Sequence, residues 1–325
     1  ELGGAVQLNI IDTITAGFDT VRKNPWLLLL PILLDLLLWL GPKLSIAPIV
    51  EESVGALQEM QALMAGQREL DAALSALPDL DPSMLQDTAG RLNLLGLLAW
   101  NVLGVPSVAA ARLIEPSDAL VIDISSSCAA LGLMALVLVV GLFVGSFFLA
   151  LVGRAVRGDN EPLGEMVGHL PQYALYIVIV MAPIFLATMF GMFMSVLCGP
   201  FSFLLLGGAL WLALYLYFAP EAITMSRAGP VEAVRNSMIL LRMSFWPTLG
   251  FIVLCSVIAA GVNVIWQTLL SSPVGMVFAI ALNSVIGTGL AAAAFIYYRD
   301  RLSLWHQLVA QARSRSHSED SPFHE

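Results

Sequence analysis

Apolar residues come in long blocks, with the charged positions gathered between them. Residues 126–152 run without one charged side chain, and so do residues 170–220. A hydrocarbon core of about 30 Å is crossed by about 20 helical residues rising 1.5 Å each. Six stretches reach or approach that length: residues 25–42, 126–152, 171–198, 201–219, 245–270 and 274–298. Cys198-Gly199-Pro200 separates the third from the fourth, and Ser271-Ser272-Pro273 the fifth from the sixth. Links that short join antiparallel helices. The pattern predicts an all-α fold, a polytopic transmembrane helical bundle of six spans.

Helical spacing of a different kind precedes three of these spans. Ile10, Ile14, Phe18 and Val21 form an apolar stripe with Asp12, Asp19 and Lys23 opposite. Leu163, Val167 and Leu170 form a shorter stripe, and Val231, Val234, Met238, Leu241 and Phe245 a third. Each ends at a proline beside an aromatic residue: Pro25-Trp26, Pro171 with Tyr173, and Trp246-Pro247. A helix with one apolar stripe lies along a membrane surface. The expectation is three repeated units, each an in-plane amphipathic helix followed by a transmembrane hairpin.

These units divide the chain into six parts. Residues 1–42 carry the first in-plane helix and span, 43–125 an insertion, and 126–152 the second span. The second repeat occupies 153–220, the third 221–298, and a cytoplasmic tail 299–325. The insertion holds eleven Asp and Glu against four Lys and Arg. Val50, Val54, Leu57, Met64, Leu74 and Leu77 keep approximate helical spacing in it, and Asp81-Pro82 resembles an N-cap with proline at the first helical position. It reads as an acidic extracytoplasmic helical cap. Residues 92–114 are apolar but diluted by Asn93, Gly96, Asn101, Gly104, Pro106 and Arg112, so they are expected to lie against or dip into the outer face as a helix.

Composition strengthens the membrane reading: 58% of the 325 residues are hydrophobic, only 12% are charged, and the mean hydropathy is +0.84. Soluble domains carry about 25% charged residues. With the N-terminus inside, eleven Lys and Arg flank the spans on the cytoplasmic side and four lie outside. A seventh span at 92–114 would give twelve against three, so the basic-residue rule alone does not choose. Arg22-Lys23, directly before the first span, favour an inside start and place both termini in the cytoplasm of a bacterial inner membrane. A net charge of −9 argues against nucleic acid as a partner.

Candidate chemistry is sparse. Lys23 and Lys43, the only lysines, do not follow a phosphate-binding glycine loop. His169, His306, His317 and His324 are scattered, and Cys128, Cys198 and Cys255 are unpaired in spacing, so no metal, cofactor or catalytic residue is expected. Gly141 and Gly145, and Gly287-Thr288-Gly289, read as helix-packing glycines. Intramembrane polar groups are costly and need a reason. Asp35 sits near the centre of the first span. It is either a proton or cation site, or a structural group paired with Asn263, Gln267 or Asn283. Those four residues form the candidate intramembrane polar cluster.

The run from Gly17 to Trp26 (Gly-Phe-Asp-Thr-Val-Arg-Lys-Asn-Pro-Trp), with Pro230-Val231-Glu232-Ala233-Val234-Arg235-Asn236-Ser237 leading to Phe245-Trp246, resembles the bacterial six-span family related to the membrane domain of glycerophosphodiester phosphodiesterases. The resemblance implies a membrane module without esterase activity, since the His-Arg-Gly type motif of the soluble phosphodiesterase domain is missing. The first functional expectation is a non-enzymatic module that organises lipid or docks a protein partner through the acidic cap or the tail. The alternative is a permease or channel moving a small solute or ion past Asp35, Asn263 and Asn283. An intramembrane enzyme ranks last because no acid-base or nucleophile constellation is visible.

Overall fold

The computed structural model describes residues 9–64, 91–99, 104–111, 120–159, 168, 170–198 and 201–319. Asn9 opens α1 (Ile10–Lys23) by accepting the Ile10 N–H at 2.8 Å. Asp12 in the first turn and Arg22 and Lys23 in the last complement the helix dipole. Pro25 cannot continue the helical hydrogen bonding, and it forces Asn24 out of helical geometry. The chain bends there by 93° into a 3₁₀ turn, Pro25–Leu28, and then α2 (Leu29–Leu40).

β1 (Lys43–Ser45) follows directly and leads into α3 (Ala47–Met64). Two 3₁₀ turns, Leu94–Leu98 and Ala109–Ala111, precede β2 (Val121–Asp123). The strands pair in parallel, with Leu44 opposite Ile122. Parallel neighbours need a long crossover, and the whole insertion supplies it, so the insertion starts and ends at one place. This small ribbon is an addition to the helical bundle that periodicity did not suggest. The stretch expected to be a helix at 92–114 is instead irregular backbone and 3₁₀ turns wherever it is described. Leu74, Leu77 and the Asp81-Pro82 cap lie outside the described residues.

Ser126 caps α4 (Ser127–Arg157), and Gly158, left-handed at φ 72°, stops it by donating its N–H to the Arg154 carbonyl at 2.9 Å. α5 (Leu170–Tyr176) passes through a π turn, Ile177–Met181, into α6 (Ala182–Cys198), and α7 (Phe201–Leu216) returns. α8 (Ala219–Ser226) and α9 (Pro230–Met243) form a second corner before α10 (Phe245–Leu269). Ser272 Oγ accepts the Gly275 N–H at 3.0 Å, and Pro273 occupies the first turn of α11 (Pro273–Glu319). α11 has 47 residues, about 70 Å of helix, so the tail expected after residue 298 continues the last apolar helix as far as Glu319.

Five helices among the described residues are long and apolar enough to cross a bilayer, and the bent pair of α1 with Pro25–Leu40 is a sixth candidate. Leu131, Val139, Phe190, Leu204, Val257 and Val274, spread over five helices, are each more than half exposed. Large apolar side chains turned outward on so many faces are what a lipid environment requires. The chain is a membrane protein.

α1 lies across α11 by its small residues. A Cβ on Gly17 would come within 2.7 Å of the Ala293 nitrogen, and one on Gly289 within 2.6 Å of the Phe18 ring. The buried face of α1 is therefore Thr13, Gly17 and Val21, rotated by one position from the predicted stripe, whose Ile10, Ile14 and Phe18 are half-buried beside it. Close backbone approach displaces a purely apolar stripe because two glycines let the axes come nearer than side chains would allow. Of the second predicted stripe, Leu163 and Val167 lie outside the described residues. In the third, Leu241 is buried while Val231 is exposed.

Candidate functional site

Asp35 is completely buried on α2. Its Oδ1 accepts the Ala109 N–H at 3.1 Å, both carboxylate oxygens accept the Val108 N–H at 3.1 Å, and the Ser107 hydroxyl donates to Oδ1. Ser107 Oγ in turn accepts the Ala110 N–H at 3.1 Å. These donors are the otherwise orphaned groups at the start of a 3₁₀ turn. The segment reaches far into the bundle, for Pro106 meets α11 at Gly287, about 20 Å along the helix from its first residue. Irregular backbone at such depth survives only when protein satisfies its polar groups. Asp35 does this by accepting from two backbone N–H groups and a hydroxyl.

Further contacts fix the same segment. The Leu94–Leu98 turn lies on α4 at Gly141, where a Cβ would be 3.1 Å from the Leu98 carbonyl. Asn93 Oδ1 accepts the N–H groups of Leu95 and Leu44, both at 3.1 Å, joining this turn to β1. Lys43 is buried and donates its ammonium to the Leu38 carbonyl and, at 3.0 Å, to that of Trp39, so it closes the end of α2. The insertion returns into the bundle as a latched segment.

At the opposite end of the bundle an aromatic floor is packed. Tyr297 stacks on Phe251 at 4.5 Å and on Phe218 at 5.6 Å, and its hydroxyl meets Thr248 at 3.0 Å. Tyr173 donates to the Pro220 carbonyl at 3.0 Å and bonds Thr224. Arg157 donates to the Thr224 carbonyl at 3.0 Å, and Tyr298 meets Ser226 at 3.1 Å. Nearly every polar atom in this layer has a partner, as buried polar atoms require.

Between latch and floor lies a cavity of about 800 Å³. Pro106 and Ser107 line one end, and Tyr176, Tyr217 and Glu221 the other. Ala213 on α7 and Ser256, Ala259 and Ala260 on α10 line it while remaining exposed, so it opens sideways between these helices. The two are bridged near the start of α10, where Trp211 stacks on Phe245 at 5.9 Å. A second, shallower cleft of about 940 Å³ runs between α2 and α4, lined by Leu29, Leu33, Leu37 and Phe143 with Trp26 and Arg154 toward one end.

The four sequence-derived site residues do not converge. Asp35 meets residues 107–109 rather than Asn263, Gln267 or Asn283, because the re-entrant turn brings two backbone N–H groups and the Ser107 hydroxyl to the carboxylate, donors that would otherwise be buried without acceptors. Asn283 accepts the Trp266 indole N–H at 3.1 Å and shares the cavity with Asn263, whereas Gln267 is exposed. Glu221 was missed. It is 8% exposed, and its Oε2 has no hydrogen-bond partner among the described residues. Its position directly after an uncharged run of 51 residues, 170–220, makes it look like a boundary charge. The usable signal was Ala219-Pro220-Glu221, which starts a new helix with proline and an acid in its first turn, followed by Ala222, Ile223 and Thr224, all buried. No group of three or more His, Cys, Asp or Glu positioned for a metal exists among the described residues. Comparisons with family models, curated proteins and solved structures return no match.

Proposed function

We propose that this chain is a non-enzymatic membrane module that accepts a lipid-like molecule from the bilayer into its side-opening cavity. The observation that carries this reading is the missing wall between α7 and α10, where small residues line the cavity and remain exposed. A path for an aqueous solute would need openings at the two ends of the bundle. Among the described residues, the latched segment lies at one end of the cavity and the aromatic floor at the other. The cleft between α2 and α4 supports the same reading, since an apolar groove with a tryptophan and an arginine toward one end suits an acyl chain and its headgroup.

In this proposal the bent pair counts as one of six spans, arranged as three units of in-plane helix plus hairpin, with both termini in the cytoplasm of a bacterial inner membrane. The resemblance to the six-span family fits that arrangement. The acidic insertion and the long α11 remain the surfaces for a protein partner. A permease reading keeps one support, the sharing of the cavity by Asn263 and Asn283, but it no longer runs past Asp35.

A spin label at Ala259→Cys, in a chain whose Cys128, Cys198 and Cys255 are replaced by alanine, tests the proposal in nanodiscs. Relaxation by dissolved oxygen should exceed relaxation by a water-soluble nickel chelate, as it does for a lipid-facing site. Dominant relaxation by the nickel chelate would mean a water-filled mouth and would overturn the lipid reading in favour of a permease.

A further inference from the structure

Glu221 stands apart from the other polar groups of the bundle. Its side chain is more than nine-tenths buried at one end of the cavity, and Oε2 is without a hydrogen-bond partner among the described residues. The cavity lining carries no other charged side chain among the described residues, and none of the ion pairs found there involves Glu221. A buried carboxylate without a counter-charge is expensive, so a ligand that brings the missing cation gains what the protein leaves open. Tyr176 and Tyr217 line the same end and add two aromatic rings, a residue type whose faces attract cations.

The lining also selects the kind of cation. Hard divalent ions need six or more oxygen ligands, and the described residues hold no cluster of acids and histidines that could supply them. Apolar side chains, among them Leu216, Cys255, Ile286 and Leu290, make up most of the remaining lining beside Ser256, Asn263 and Asn283, and they suit a hydrocarbon tail. We infer that the cavity selects an amphiphilic amine, whose ammonium group pairs with Glu221 between Tyr176 and Tyr217 while its chain leaves through the gap between α7 and α10. This inference rests on the lipid-binding reading and adds the charge of the ligand to it.

Radiolabelled hexadecylamine and hexadecanol, equal in chain length and different in charge, separate the two claims. Each is partitioned into nanodiscs with and without the protein, and retention above the empty disc is measured. The wild type should retain both, with the amine held about tenfold more tightly than the alcohol, the usual scale of one desolvated charge contact. Glu221→Gln should reduce the amine to the level of the alcohol and leave the alcohol unchanged, while Ala259→Trp, which fills the mouth, should reduce both. Equal retention of the two probes by the wild type overturns the amine assignment and leaves the lipid reading standing, and this comparison needs no variant. Failure to retain either probe overturns both. An amine preference that survives Glu221→Gln also overturns the assignment to this residue.

Discussion

Asp35 and Glu221 are both carboxylates surrounded by apolar helices, and the bundle treats them in opposite ways. Around Asp35 the chain brings two backbone N–H groups and a serine hydroxyl from a segment more than 70 residues away. Around Glu221 it leaves one oxygen unpartnered beside open space. Burial is nearly the same for the two residues, so burial does not separate a structural acid from a functional one. Satisfaction does. A fully engaged carboxylate belongs to the architecture, since its removal strands the donors it held. A carboxylate with an unpartnered oxygen carries a desolvation cost that its removal would relieve.

The largest effect expected from this contrast is at the latch. Asp35→Leu leaves the N–H groups of Val108 and Ala109 buried without acceptors, which should cost about 3–5 kcal/mol of stability. Unfolding in mixed micelles by increasing fractions of a denaturing detergent measures it. Asp35→Asn keeps Oδ1, the oxygen shared by all three donors, and should lose much less. Equal losses for the two variants would mean that charge, rather than donor satisfaction, holds the segment.

A smaller effect tests how far the packing around the latch depends on glycine. Gly289→Val places side-chain atoms against the Phe18 ring at the crossing of α1 and α11, and overpacking of this kind costs about 1–3 kcal/mol. The same micelle titration should show that loss, while Gly132→Val, at a position with open space around it, should show almost none. Similar losses at both positions would remove the close crossing as the reason why the buried face of α1 is rotated.

Much of the bundle was legible in the sequence because hydropathy over 20 residues responds to one variable, the length of apolar helix. The corner at Asn24-Pro25 was legible too, since proline acts locally. What could not be read depended on distant partners or on irregular backbone. Asn93, Gly96, Gly104 and Pro106 marked residues 92–114 as a poor span, and the same residues allow the tight turns that reach Asp35. The segment was nevertheless expected to be a helix, and neither its turns nor the donors they present could be read, because a 3₁₀ turn of three residues has no periodicity to detect. Glu221 was hidden for a simpler reason. Hydropathy assigns the first charge after an apolar run to the membrane surface, whereas here Glu221 lies in a helix beginning at Ala219 whose residues through Thr224 are all buried.

The contrast between the two acids is tested most directly by Glu221→Met, measured beside Asp35→Leu in the same micelles. Both substitutions replace a buried acid with an apolar side chain, so any difference between them reports what each acid was bonded to. Glu221→Met should unfold at the same denaturing fraction as the wild type or at a higher one, gaining up to about 1–2 kcal/mol from the loss of an unsatisfied polar group. A loss comparable to that of Asp35→Leu would show that Glu221 also holds the bundle together, and would contradict its role as the group left open for a ligand.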